Sequence, residues 1–175
     1  TAREVYEYVF ERLRAYYLEG DAGLAMTAEM FDAVLATRPA SPLDFDLRLR
    51  ALAAFLRLPE AQSLAAANKR IANILRKATE PVGDTIDEDL LRDPAEQILG
   101  EQVVAIARMV EPKFHARQYT EALQNLAVLR KAIDEFFDSV MVMAEDPALR
   151  ANRLALLRRL QSLFMHAADL SKLPG

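Results

Sequence analysis

Three proline-containing signatures constrain the fold of this chain more than any other feature of its sequence. At Ser41-Pro42, Asp93-Pro94 and Asp146-Pro147, a residue of the type that caps helix N-termini precedes a proline. The cap side chain accepts a hydrogen bond from a free backbone N–H, and proline suits the first helical position because it has no N–H to satisfy. Asp44 and Glu96 follow the first two signatures, as the acid of a capping box does. The sequence therefore predicts a helix start at each of these prolines.

A long apolar seam predicts a further helix. Between Ala122 and Met143, apolar residues recur in steps of three and four, as on one face of an α-helix, and no comparable run has the period of two of a strand. With Pro59 marking another start, the chain is predicted to be all-α, a bundle of about six to seven helices. Pro112 is expected to end or kink the fifth helix, and the acid-rich stretch 79–93 is expected to be a mobile connection. The predicted helices are near 3–19, 28–37, 42–57, 60–78, 94–110, 119–144 and 147–169.

Size and composition bound the functional classes. A chain of 175 residues with 52% hydrophobic residues can bury its own core, and we expect one domain over 1–175. No apolar run approaches the roughly 20 residues that span a membrane and no signal peptide is evident, so we expect no membrane partner and a cytoplasmic location. The chain has no Cys, two His, no glycine-rich phosphate loop, no nucleophile elbow and no HExxH spacing. Neither catalysis nor a metal or cofactor site is expected in it.

Charge is segregated along the chain, although the net charge is only -4. Residues 47–80 carry seven basic side chains against two acidic ones, net +5, whereas residues 81–101 carry seven acids against one arginine, net -6. Within the basic segment, no acid occurs from Gln62 to Thr79, and a helical projection places Asn73 at the middle of a polar face. An ordinary solvated helix face mixes both signs of charge. At this point a plain exposed surface and a nucleic-acid contact are equally compatible with the pattern.

Two polar residues fall on or beside apolar stripes. Asn68 borders the apolar stripe of the basic helix, where it can be a buried structural hydrogen-bonding residue or point at a ligand, and we favour the structural role. Arg153 falls inside the stripe of the last helix, where a guanidinium requires a carboxylate partner. The alternative for Arg153 is an RNA contact. The candidate partners of Arg153 are Asp134, Glu135 and Asp138.

Several long stretches of the chain resemble a known family. These are "FDAVLATRPASPLDFDLRLRAL", "LAAANKRIANIL", "DEFFDSVMVMAEDPALRANRLALLRRLQSLF" and "AADLSKL". In this order they are similar to the carboxyl-terminal region of bacterial glycyl-tRNA synthetase β subunits, and the resemblance spans nearly the whole chain. The later stretch is similar to the DALR-type anticodon-binding helical bundle that arginyl-tRNA synthetases also contain.

The resemblance implies a role without catalysis in this chain. In such an enzyme, the α subunit carries out aminoacylation with ATP and Mg²⁺, and this end of the β subunit binds the anticodon stem-loop of glycine tRNA. The expected partners are therefore glycine tRNA, the α subunit and the remainder of a longer β subunit. The chain then corresponds to a non-catalytic domain of an enzyme, with no cofactor of its own.

The resemblance also gives the basic face a hypothetical role. Glycine anticodons end in two cytosines, whose pairing edges present both acceptors and a donor. No aromatic residue is predicted on the basic face, and we expect Tyr16, Tyr17 and Phe45 to be core residues rather than stacking residues. The alternative function is a helical docking module whose basic face meets the α subunit or other β-subunit domains. The residues expected on the RNA side are Arg38, Lys69, Arg70, Asn73 and Arg76.

Overall fold

A computed structural model of the chain describes residues 1–20 and 25–174. Within those ranges it contains eight α-helices, two short 3₁₀ turns and no strand, which confirms the all-α prediction. The 3₁₀ turns are Glu88–Leu90 and Leu170–Lys172. The helices are α1 (Ala2–Glu19), α2 (Ala28–Leu35), α3 (Pro42–Phe55), α4 (Ala61–Lys77), α5 (Pro94–His115), α6 (Tyr119–Ala127), α7 (Arg130–Ser139) and α8 (Pro147–Met165).

The three proline signatures begin α3, α5 and α8 as predicted. The Ser41 hydroxyl accepts a hydrogen bond from the Asp44 N–H at 3.1 Å, and the Asp146 carboxylate accepts from the first turn of α8. Asp93 and Glu96 form a complete capping box at the start of α5. These caps satisfy N–H groups that would otherwise lack a partner at each helix start.

The predicted helix 119–144 is wrong in length, because the chain forms α6 and α7 and then leaves the helical conformation. Tight backbone bonds turn the chain at 128–129, where the N–H of Leu129 donates to the carbonyl of Leu126 at 3.0 Å. Leu129 in this turn is fully buried, so the spacing of buried apolar residues continues across the turn. The sequence pattern therefore does not show where the helix breaks. Beyond α7, Val140 and Val142 are buried, whereas Met141 and Met143 are exposed. The chain at 140–143 is therefore outside the helical conformation.

Pro112 does not end α5, so the predicted boundary near 110 is wrong. The helix continues through Pro112 to His115. Its last turn is held by Phe114, which is buried and whose ring lies 6.2 Å from that of Tyr119 at the start of α6. His166 is exposed and stacks on the Phe114 ring, with 4.9 Å between the two ring centroids. Aromatic packing therefore stabilises a helix end beyond its proline.

The core is built around α5, which packs against α6, α7 and α8. On one side, α3 packs against α6 and α2, and α1 joins them through Phe10 and Tyr17, whose rings contact Phe45. On another side, α4 packs against α8, α7 and the 3₁₀ turn Leu170–Lys172. Small buried residues permit this close approach of α4 to its neighbours. They are Ala61, Ala65 and Ala67.

A buried ion pair joins α5 to α8. Arg153 is 8% exposed and Glu96 is fully buried, and the Arg153 Nε donates to Glu96 Oε1 at 2.8 Å. Arg153 also donates to the carbonyl of Met141 at 2.8 Å, and Glu96 accepts from the N–H groups of Arg92 and Asp93. The prediction of a carboxylate partner for Arg153 is confirmed, but the three predicted partners on the preceding helix are wrong. Glu96 takes that place because the capping box turns its side chain inward at the start of α5.

We expect Arg153→Met to lower the free energy of unfolding by about 3–5 kcal/mol, because it leaves the buried Glu96 carboxylate without its countercharge. Urea unfolding at pH 7 measures this change. The matched control is Arg3→Met, which breaks an exposed pair with Glu7 and is expected to leave the free energy of unfolding nearly unchanged. Equal losses for the two variants would contradict a structural role of the buried pair.

A second buried polar cluster joins α3 to α6 around Asp44, which is 3% exposed. Tyr119 donates a hydrogen bond to Asp44 Oδ1, and Arg48 pairs with Oδ2 at 3.0 Å. Burial opposes the ionisation of Asp44, but the hydrogen bonds from Tyr119 and Arg48, the Arg48 charge and the Ala40 N–H outweigh it and lower the pKa of Asp44 below its ordinary value. The cluster is therefore most favourable when Asp44 is ionised.

We expect Tyr119→Phe to lower the free energy of unfolding by about 1.5–3 kcal/mol at pH 7, because a hydrogen bond to an ionised, buried carboxylate is lost. A lowered folded-state pKa stabilises the protein above the unfolded pKa, and this contribution disappears as pH falls through the folded pKa. The difference in the free energy of unfolding between parent and variant should therefore become smaller below about pH 4. Tyr6→Phe is the control, since the Tyr6 hydroxyl donates to the neutral carbonyl of Pro39. A Tyr119→Phe difference that is the same at pH 7 and pH 3 would contradict this account.

Candidate nucleic-acid interface

One face of α4 is exposed along most of the helix. Leu64 and Ile71 are buried, whereas the opposite side reaches solvent. Lys69 is half-buried. We call this surface the α4 face; its exposed or half-exposed members are Gln62, Ala66, Lys69, Arg70, Asn73, Arg76 and Lys77. Four of the five predicted RNA-side residues thus lie together on one helix.

The four cations of the α4 face have no acidic partner in the described part of the chain. Among the described residues, no carboxylate oxygen lies within 4 Å of the side-chain nitrogens of Lys69, Arg70, Arg76 or Lys77. Arg76 and Lys77 do interact favourably with the carbonyl end of the helix, because they occupy its last turn. That interaction leaves their outward charge uncompensated.

The cations of α8 are arranged in the opposite way, since each has a carboxylate within 4 Å. Two of these carboxylates, Glu80 and Asp84, come from the acidic connection 79–93, which lies against α8. Asn152 fastens the same connection by two hydrogen bonds to the backbone of Asp87. The acids that follow α4 in sequence therefore neutralise α8 rather than α4. The four pairs are Arg150–Glu80, Arg153–Glu96, Arg158–Asp84 and Arg159–Glu111.

Asn73 is oriented by its neighbour on the α4 face. The Arg76 Nη2 donates to the Asn73 Oδ1 at 3.0 Å. A guanidinium only donates hydrogen bonds, so the amide oxygen must be the atom that faces Arg76. The amide NH₂ of Asn73 is then available as a donor, which suits the ring acceptors of an unpaired base.

Arg70 rests on an aromatic ring that the sequence analysis did not assign to this surface. Its guanidinium carbon lies over the ring of Phe137, 4.3 Å from the centroid. Ser63 holds the two helices together nearby, because its hydroxyl donates to Asp134 on α7 at 2.8 Å. The signal in the sequence is the pair Phe136-Phe137, since neighbouring helical residues differ by about 100° in direction and only one ring can point into the core. Phe136 is fully buried and Phe137 is half-buried.

Arg38 lies apart from the α4 face. It follows α2 with φ of 51°, a left-handed conformation common just after helix ends, and its N–H donates to the carbonyl of Leu35. Its side chain lines a groove of about 370 Å³ beside α1, together with Arg3, Tyr6 and Glu7. No hydrogen bond or salt bridge among the described residues joins Arg38 to α4. An RNA contact by Arg38 stays a separate prediction.

The other polar and aromatic candidates divide between core and surface. Asn68 is 3% exposed and its amide donates to the carbonyl of Leu64 at 2.9 Å, which confirms its structural role. Tyr17 and Phe45 are core residues as predicted. Tyr16 is 57% exposed, so the prediction that it is a core residue is wrong. Its position on the helix turns it outward from the Tyr17 cluster.

Two further features are absent from the described part of the chain. No three His, Asp or Glu side chains come together there as ligands of a metal ion. No helix there combines the length and the apolar character that crossing a bilayer requires.

Comparison with known proteins identifies what the chain resembles. A family model described as the DALR anticodon binding domain matches residues 64–173, from α4 to the last 3₁₀ turn. A glycine–tRNA ligase β subunit of Marinobacter nauticus is 50% identical over 175 residues, covering 99% of this chain and 25% of that protein. The β subunits of Tolumonas auensis and Yersinia pestis are 51% and 48% identical over 170 residues, covering 97% of this chain and 24% of each protein.

The cations and Asn73 of the α4 face lie within the region that the family model matches. Residues 69–76 lie inside the range covered by the family model, whereas Arg38 lies outside it. The chain spans about a quarter of the length of the curated relatives that it matches.

Proposed function

The chain belongs to the family of DALR anticodon-binding domains, and on that premise we propose that it binds the anticodon stem-loop of glycine tRNA through the α4 face. The observation that carries the proposal is the set of four cations on one helix with no carboxylate within 4 Å among the described residues. No carboxylate of residues 1–20 or 25–174 neutralises this charge, and phosphate groups are suited to do so. The position of this helix inside the region matched by the family model supports the same conclusion.

The α4 face offers two kinds of contact to an RNA loop. Lys69 and Arg76 bind phosphates, which positions the loop and makes the affinity dependent on salt. Asn73 presents its amide NH₂ outward and donates to the O2 or N3 acceptor of a cytosine. Since glycine anticodons end in two cytosines, a donor at this place favours glycine tRNA over tRNAs whose bases present donors there.

The role we propose for the chain in its enzyme is recognition rather than catalysis. Its relatives are named as β subunits of glycine–tRNA ligase. In this proposal the chain acts in the cytoplasm as part of such a β subunit, and aminoacylation, with its ATP and Mg²⁺, takes place on the α subunit. Binding the anticodon loop selects the tRNA and holds it while its acceptor end reacts elsewhere.

We expect replacement of Lys69, Arg70 and Arg76 together by Ala to weaken binding of the glycine anticodon stem-loop at least about tenfold, because three charge-assisted contacts are lost. The slope of log affinity against log salt should fall by about 2. Titration at several salt concentrations measures both quantities. The charge-matched control replaces Arg12, Arg92 and Arg108, which are exposed cations outside the α4 face. Unchanged affinity and slope in the α4 variant would remove this face from the interface.

We also expect binding to depend on the anticodon bases. Replacing either cytosine by guanosine should weaken binding about 5- to 100-fold, because guanine presents N–H donors where cytosine presents acceptors and cannot accept from the Asn73 amide there. The control exchanges a base pair of the stem and keeps the loop unchanged. Binding that does not depend on the anticodon bases would contradict anticodon reading. It would favour contact with the RNA backbone alone or the alternative function, in which the α4 face docks the α subunit or other β-subunit domains.

A further inference from the structure

Arg70 differs from the other arginines that lie over aromatic rings. Among the described residues, Arg70 has the ring of Phe137 as its neighbour and neither a carboxylate within 4 Å nor a hydrogen-bond acceptor. The other three arginines are each held by an oxygen as well. Arg12 donates to the hydroxyl of Tyr8, Arg14 to Asp32, and Arg48 to Asp44 and Thr37.

The ring beneath Arg70 is itself fixed. Phe137 packs edge-to-face on Phe136, at 5.5 Å between centroids, and Phe136 is fully buried. The hydrogen bond from Ser63 to Asp134 ties α4 to α7 on the same side. A side chain that is already held in place loses less conformational entropy when a ligand binds.

We propose that Arg70, held on Phe137, stacks on an unpaired base of the anticodon loop. The proposal rests on the proposed function and names the residue that receives the base. Bases of RNA loops stack on aromatic rings or on the planes of arginine guanidinium groups. The α4 face has no exposed aromatic residue, so its stacking surface is the outer side of Arg70, with Phe137 supporting the inner side.

The neighbouring side chain makes this position selective. Asn73 lies three residues after Arg70, one turn along the same helix, where side chains are neighbours. Its amide donors, set by Arg76, are directed away from the Arg76 contact. A base stacked on Arg70 therefore has hydrogen-bond donors beside its edge, so one nucleotide is held by its face and by its edge together.

The test uses Arg70→Lys, which keeps the charge and removes the planar group. Titrate the 175-residue chain with the glycine anticodon stem-loop and with a series of the same RNA in which each loop nucleotide in turn is abasic. For the intact loop, we expect Arg70→Lys and Phe137→Leu each to weaken binding about 5- to 100-fold. Arg57→Lys is the matched control, since Arg57 is exposed and outside the α4 face, and it should bind as the parent chain does. Circular dichroism and thermal melting verify that each variant is folded.

The abasic series decides the proposal. At the loop position that Arg70 contacts, removal of the base should lower the affinity of the parent chain but not that of Arg70→Lys. On this abasic loop, the affinities of the parent and the variant should therefore agree within about twofold. The proposal is overturned if Arg70→Lys binds the intact loop as tightly as the parent, or if its loss is the same on every abasic loop, which indicates a phosphate contact. In both cases, the binding affinity can still depend on the anticodon cytosines, and the proposed function then stands. If the parent chain does not bind the loop, both proposals fall.

Discussion

The buried pair of Arg153 and Glu96 is the interaction on which the arrangement of the second half of the chain depends. One carboxylate closes the start of α5, receives two backbone N–H groups and neutralises a guanidinium from α8. That guanidinium in turn holds the carbonyl of Met141 in the segment between α7 and α8. Since a buried charge without its partner is strongly unfavourable, α5, α8 and this segment can only be placed together.

The pairing of acids with the arginines of α8 also explains how an acidic protein retains a basic surface. The acids after α4 fold back on α8 and pair with its arginines, while α4 lies with its apolar side on α7 and α8 and keeps its cations outward. Charges farther apart than about 10 Å are largely screened at physiological salt. An approaching polyanion therefore responds to the local charge of the α4 face more than to the net charge of -4.

Local rules predicted the features that depend on a few neighbouring residues. Caps and prolines gave the starts of α3, α5 and α8, and helical periodicity placed Lys69, Asn73 and Arg76 on one face. Contacts between distant segments were beyond these rules. Glu96 was recognised as a cap residue but not as the partner of Arg153, and Phe137 beneath Arg70 depends on how α7 crosses α4. The break between α6 and α7 at 128–129 was not predicted, because the tight turn there keeps the helical spacing of the buried apolar residues.

The buried alanines of α4 have a consequence for the position of its charges. Ala61, Ala65 and Ala67 are buried and α4 packs on its neighbours, so the distance of the basic side chains from the centre of the bundle depends on small side chains of the same helix. A larger residue there would lift the whole surface and separate Arg70 from its supporting ring without altering any charge. The reach and alignment of the polar side chains are thus encoded in residues that a bound molecule never touches.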